Sequence, residues 1–251
     1  MPSLGTYLAI SLFNVHALAL YLGGQLTLYI HPRYVLFTVA LNVVSLAACC
    51  AGFSATAWRV ANGSYAGGAS WRPSVTFLMA MVVLLAAYAL PARTLSTETA
   101  DQRIGNFNSA RSPSSATGGT LAAFRTGETP TLAGAATADL AIEDWVAAFG
   151  VEPNANFYEG KEVNVVGFVF RAEGTPDDVF YVSRFVVTCC AVDAQPIGLP
   201  VRSPGWQERF EDDAWVRVKG RFANETGVAE PVVVEPERVE RTAQPPNPYV
   251  N

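Results

Sequence analysis

The chain opens on unbroken apolar runs and closes on alternating ones. Leu4 to Ile30 carries no formal charge and exceeds the roughly 20 residues a helix needs to cross the hydrocarbon core of a bilayer. It predicts a first membrane span. The run meets His31-Pro32-Arg33, where proline cannot continue a helix and arginine is costly in lipid, so a tight turn is expected there. Val35 to about Phe53 reads as a second span. A Gly/Ser-rich loop holding Trp58, Arg59, Gly67, Gly68, Trp71 and Arg72 follows. Pro73 then suits the first position of a third span over 74–90, closed by Pro91 and Arg93. Tyr21, Tyr29 and Tyr34 stand where an interfacial aromatic belt would lie.

Beyond residue 93 the pattern changes twice. Residues 94–136 are Ser, Thr, Gly and Ala with scattered charges and no hydrophobic period, which predicts a flexible linker. Leu140, Ile142, Trp145, Val146 and Phe149 then give a helical stripe, with Asp139 as its cap and Gly150 as its stop. After it the period becomes two. Strands are expected over 163–170, 179–187, 197–201, 215–222 and 231–239, with Gly167 allowing a bulge or sharp coil in the first. Five strands in about eighty residues predict a small Greek-key barrel of the OB type. The fold class is therefore a membrane α-helical N-terminal part, residues 1–93, and an all-β, OB-like barrel, residues 137–243, ending in a proline-rich tail, 244–251.

Charge sharpens that division. Before residue 91 there is no Asp or Glu, and only Arg33, Arg59 and Arg72 are permanently charged. All 22 acidic residues and 14 of the 17 basic ones lie beyond, a formal −8 against +3. Two solvents are implied, lipid and water. The acidity of the second part speaks against nucleic acid, because phosphate binding needs a basic footprint. Arg217, Lys219 and Arg221 share one strand face and are the best residues for an OB-type binding module. A solvated face balanced by Glu208, Glu211, Asp212 and Asp213 is the stronger reading. The start of the chain lacks a basic stretch and a small-residue cleavage site, so it reads as a retained anchor. The arginine count on the two sides of the spans is near balance. An uncharged N-terminus inside would put the barrel outside the cytoplasm.

Polar residues inside the spans are few, among them Asn14, His16, Gln25, Asn42 and Ser45. Asn14 and His16 are intramembrane candidates, with adhesion to a neighbouring helix the main expectation. Three spans are too few for a solitary transport path, so a pathway would need a partner. Cysteines fall as two adjacent pairs, Cys49-Cys50 and Cys189-Cys190. The first pair is expected to pack as small apolar residues. The second follows an apolar strand and precedes Asp193, a set of two soft donors and one harder one that suits zinc or a similar ion. Both thiols can reach one ion only if the chain turns there. Two other uses are open: a structural turn with Asp193 on backbone amides, and thiol redox chemistry. The second has neither a C-x-x-C spacing nor a nearby histidine to lower a thiol pKa.

Three segments together resemble a known family. Tyr29-Ile30-His31-Pro32-Arg33, Gly160-Lys161 leading into Val165-Val166-Gly167-Phe168-Val169, and Arg184-Phe185 through Thr188-Cys189-Cys190 to Asp193 are similar to the bacterial YcgQ-like proteins, the DUF1980 family of permease subunits. The resemblance implies a non-enzymatic integral protein of the bacterial membrane that works beside a multi-span permease of the YcgR or YraQ type. It also implies an association with zinc homeostasis.

Overall fold

The computed structural model describes residues 4–63, 75–89, 93–103, 137–152, 154–172, 174–224 and 232–250. The chain divides after Arg93 into two units. In the first, helix α1 spans Leu4–Leu22, α2 spans Pro32–Ala61 and α3 spans Val75–Ala89. The expected uninterrupted first span is corrected here. Helix α1 ends before Gly23-Gly24, where Gly24 has a φ of +69°, and a 3-10 turn over Leu26–Leu28 follows. Paired glycines break the helix because the second adopts a left-handed conformation that other residues avoid.

The expected turn at His31-Pro32-Arg33 is also corrected. These residues start a helix. Pro32 is the first residue of α2, where its fixed φ is pre-organised and its missing N–H is not needed. The His31 ring caps the opening turn, its Nδ1 accepting the Arg33 N–H at 3.0 Å.

Helix α2 then runs 30 residues, past the expected end at Phe53, so Trp58 and Arg59 belong to its last turns and not to a loop. Thr56, whose hydroxyl donates to the Gly52 carbonyl at 2.8 Å, sits in the ladder without breaking it. Gly67, Gly68, Trp71, Arg72 and Pro73 lie outside the described residues. Among the described residues, one helix, Pro32–Arg59, is long and apolar enough to cross a membrane. The apolar part of α1, Thr6–Leu22, and the 15-residue α3 are shorter than that. Asn14 is buried between α1 and α2, its amide donating to the Ile10 carbonyl at 2.8 Å and the Ser45 hydroxyl at 3.1 Å. The His16 ring packs against Tyr88 of α3 in a tilted arrangement, with ring centroids 4.5 Å apart. Cys49 is buried as expected, whereas Cys50 is exposed.

In the second unit, the strands are β1 Glu162–Phe170, β2 Val179–Val186, β3 Gln195–Arg202, β4 Trp215–Asn224, β5 Val232–Arg241 and β6 Tyr249–Val250. Strand β1 pairs with β4 along its first part and with β2 at its end. Strands β2–β3 and β4–β5 are antiparallel, and β3–β5 are parallel. The circuit 1-2-3-5-4-1 closes an OB-like barrel. Gly167 sits where β1 leaves β4 for β2: a Cβ there would come within 2.5 Å of the Ser183 carbonyl oxygen. Only glycine lets the two backbones approach so closely.

Alternation puts two apolar sets on the two faces of β1 and β2. Val163, Val165, Val169, Phe180, Val182 and Val186 face the main core. Helix α5, Ile142–Val151, closes that core by setting Trp145 and Phe149 against Tyr158 and Phe222. Its N-terminus is held by Asp144, which accepts the Ala141 N–H at 3.0 Å. Asp139, the expected cap, lies in a preceding 3-10 turn. The helix continues one residue past the expected stop at Gly150.

The second set, Phe168, Phe170, Tyr181, Phe185 and Val187, forms a separate cluster with Ala100, Ala194 and Tyr249. Two corrections follow from it. The linker's expected first residues are ordered: α4, Thr97–Gln102, buries Ala100 completely, and Leu95 packs on the same cluster. Residues 104–136 of the expected linker are outside the described residues. The tail also folds back, with β6 pairing parallel to β2 at Phe185 and Val186. An apolar outer strand face cannot be left to water, and these two segments cover it.

Candidate metal site

After β2 the chain bends at Thr188–Cys189 and enters a one-turn 3-10 helix, Ala191–Asp193, before β3 begins. The bend answers the difficulty of adjacent residues facing opposite ways. The Cys189 and Cys190 sulfurs lie 3.7 Å apart, and a carboxylate oxygen of Asp193 completes a group whose donor atoms are all within 4.8 Å of one another. Two thiolates bound to zinc at about 2.3 Å and a tetrahedral angle stand about 3.8 Å apart. The spacing of the sulfurs therefore needs almost no adjustment to accept such an ion.

Asp193 holds this turn. Its Oδ1 accepts the Thr188 N–H at 3.0 Å, and its Oδ2 accepts the Cys189 and Cys190 N–H groups at 2.7 and 3.4 Å. Partial burial pushes the Asp193 pKa up, but the hydrogen bonds from the Cys189 thiol and the three amides outweigh it and hold the group below the ordinary carboxylate value. The hydrogen bond to Asp193, and then that to Cys190, pushes the Cys189 thiol up to about 12. Cys189 is exposed and Cys190 half-buried. Val192, 83% exposed, leaves an apolar tip between them and Asp193. Three protein donors at a surface turn leave room for a fourth from water or from another protein, whereas structural zinc sites are closed by four.

The other motif residues are elsewhere. Arg184 does not reach the thiols. Its guanidinium donates to the carbonyls of Asn247, Pro248 and Tyr249 and lies over the Trp215 ring, 5.9 Å from its centroid. It secures the tail against β2. Thr188 contributes its backbone N–H to Asp193, and His31, Pro32 and Arg33 build the start of α2. Asn14 and His16 link helices. On β4, Arg217, Lys219 and Arg221 do share an exposed face, but its acidic counterparts differ from those expected: Arg221 pairs with Glu162 at 2.8 Å and Glu237 at 3.4 Å. Asp213 instead accepts the Thr97 N–H at 2.6 Å.

Arg103, which the sequence did not single out, reaches the turn. It donates to the carbonyl of Ala194, to that of Val192 at 3.0 Å and to that of Ala191 at 3.5 Å. The signal that could have found it is Ser96 followed by Glu98, a helix start inside the polar stretch.

Residues 134–251 match the DUF1980 C-terminal domain, which covers the barrel, α5 and the whole Cys189–Asp193 turn. No curated protein matches the chain.

Proposed function

We propose, from the premise that this chain belongs to the DUF1980 family through residues 134–251, that it is a non-enzymatic accessory subunit of a multi-span membrane permease. In this reading the barrel presents Cys189, Cys190 and Asp193 to a thiophilic divalent ion, zinc foremost, beside the partner's entrance. The observation that carries it is the turn itself: two sulfurs at a tetrahedral spacing and a carboxylate, accessible to water and one donor short of a closed site. Incomplete coordination suits an ion that must be passed on, because the vacant position is where an acceptor's ligand can enter.

Three membrane spans, built on α1, α2 and α3, would anchor the barrel in the bacterial membrane, with the barrel on the outer side. Support comes from the length and apolarity of α2 and from the large apolar side chains that the helices leave exposed, Leu22, Leu36, Phe37 and Val44 among them. Lipid and a partner's helices are the natural cover for such surfaces. Purification from membranes in mild detergent, with a permease of the YcgR or YraQ type co-expressed, tests the assembly. Co-elution in a fixed ratio is expected; a chain that elutes alone beside an intact permease overturns the proposal.

Thiol exchange at Cys189 and Cys190 is the weaker reading. Asp193 holds the Cys189 proton in place, which opposes formation of the attacking thiolate.

A further inference from the structure

The Cys189–Asp193 turn is tied at both ends. At its amide end the Asp193 carboxylate gathers the N–H groups of Thr188, Cys189 and Cys190. At its carbonyl end the Arg103 guanidinium gathers the oxygens of Ala191, Val192 and Ala194. Between those two ends lies one 3-10 turn, Ala191–Asp193, which carries both the Asp193 carboxylate and two of the carbonyls that Arg103 holds, so a displacement of one end is felt at the other. Arg103 is carried by a segment that meets the barrel, among the described residues, at points spread along its length. Leu95 donates its N–H to the Tyr249 hydroxyl at 3.1 Å, Thr97 binds Asp213, and Ala100 is buried in the outer apolar cluster. A strap of ten residues whose fully buried side chain, among the described residues, is the methyl group of Ala100 opens more readily than the barrel strands it lies on.

We propose that docking of residues 94–103 and metal occupancy of the Cys189-Cys190-Asp193 turn form one linked equilibrium, with Arg103 as the positioning residue that joins them. This rests on the metal reading above and adds its regulation. With Arg103 in place the donor atoms already have the spacing an ion requires, so the docked strap is the form that binds metal better. Linkage is reciprocal: metal holds the strap down, and a held strap raises metal affinity by the same factor. Residue 94 directly follows the helical unit. A pull or release on that connection, as when a partner engages the helices, would therefore change how tightly the turn keeps its ion.

The test uses the full chain in detergent, with zinc alone as the ligand and a chromophoric chelator as competitor. Affinity is measured for the wild type, for Arg103→Ala and for Asp213→Gly. The second variant loosens the strap at its far end, away from the turn, and glycine accommodates the positive φ of 64° at that position. Hydrogen exchange over 94–103 is followed with and without zinc. Expected are slower exchange of that segment with zinc and an affinity loss of about tenfold in Arg103→Ala. A smaller loss in the same direction is expected for Asp213→Gly, with exchange in the β1–β5 strands unchanged in both variants.

Zinc binding with unaltered exchange of the strap and unaltered affinity in both variants overturns the linkage and leaves the metal reading standing. A loss in Arg103→Ala alone, with Asp213→Gly like wild type and the strap unaffected by zinc, also overturns it, because Arg103 would then only shape the turn locally. Absence of zinc binding in the wild type overturns both readings.

Discussion

At the scale of single residues, the chemistry centres on one carboxylate with two loyalties. Asp193 keeps the turn folded through three amides and keeps the Cys189 proton through a hydrogen bond, so a metal has to displace that proton before it binds. Affinity for zinc is therefore expected to climb with pH across the neutral range. With the thiol pushed up to about 12, alkylation of Cys189 at pH 8 is expected to be slow and to rise with pH without a plateau below pH 10. Asp193→Asn removes the hydrogen-bonded charge, and each unit by which the thiol pKa falls raises the thiolate fraction about tenfold. A wild-type rate that levels off near pH 8 contradicts the geometry.

The same carboxylate has a stability consequence. Its depressed pKa means that its contribution is present above the ordinary carboxylate range and is lost as pH falls through the lowered value. Asp193→Asn should flatten that acid limb in a thermal-melt series against pH. The donor set was legible in the sequence because a thiol-thiol-carboxylate cluster at close spacing has few chemical uses. Its clamp was legible only as a helix start at Ser96 and Glu98, not as a contact: Arg103 lies 88 residues from its nearest turn partner, Ala191, in chain order, and no local pattern says where such a helix docks.

At the scale of elements, the barrel strands could be read because each has a wet face or a turn residue to mark it. β4 alternates perfectly from Val216 to Phe222, and Gly167 marked the coil in β1. Replacing Gly167 with alanine puts a methyl group against the Ser183 carbonyl. A loss of about 1–3 kcal/mol of barrel stability is expected in denaturant titration. The elements that escaped are those that exist to cover something. β2 is buried along nearly its whole length, a pattern that says both faces are covered without saying by what. The cover proves to be α4 and β6, one read as linker and one as tail. Proline-rich composition around 245–248 hides β6, since the strand is only two residues long and its partner is remote and parallel. Arg184→Ala removes the tail's carbonyl partner and is expected to cost about 1–3 kcal/mol, with Phe185 and Tyr249 becoming more accessible. A melting temperature equal to wild type would mean that the tail adds nothing to the fold.

At the scale of the whole molecule, two units were visible in the charge distribution alone, and the division after Arg93 falls where that distribution changes. Helix bounds were harder. Hydropathy does not distinguish a helix that stops at Gly23-Gly24 from one that runs to Ile30, and it cannot tell a proline that ends a helix from one that begins the next. The proposed membrane anchoring predicts that the full chain stays in the membrane pellet after alkaline carbonate extraction, while a chain beginning at residue 94 is released as a soluble protein. Recovery of the full chain in the carbonate supernatant contradicts that anchoring.

The most direct measurement is the zinc retained by the purified full chain after exhaustive dialysis in detergent, wild type against the double substitution Cys189→Ser, Cys190→Ser. The geometry of the turn predicts about one zinc per wild-type chain and near-complete loss in the variant at unchanged folding. A wild type that holds no zinc, or a variant that holds as much as the wild type, contradicts it.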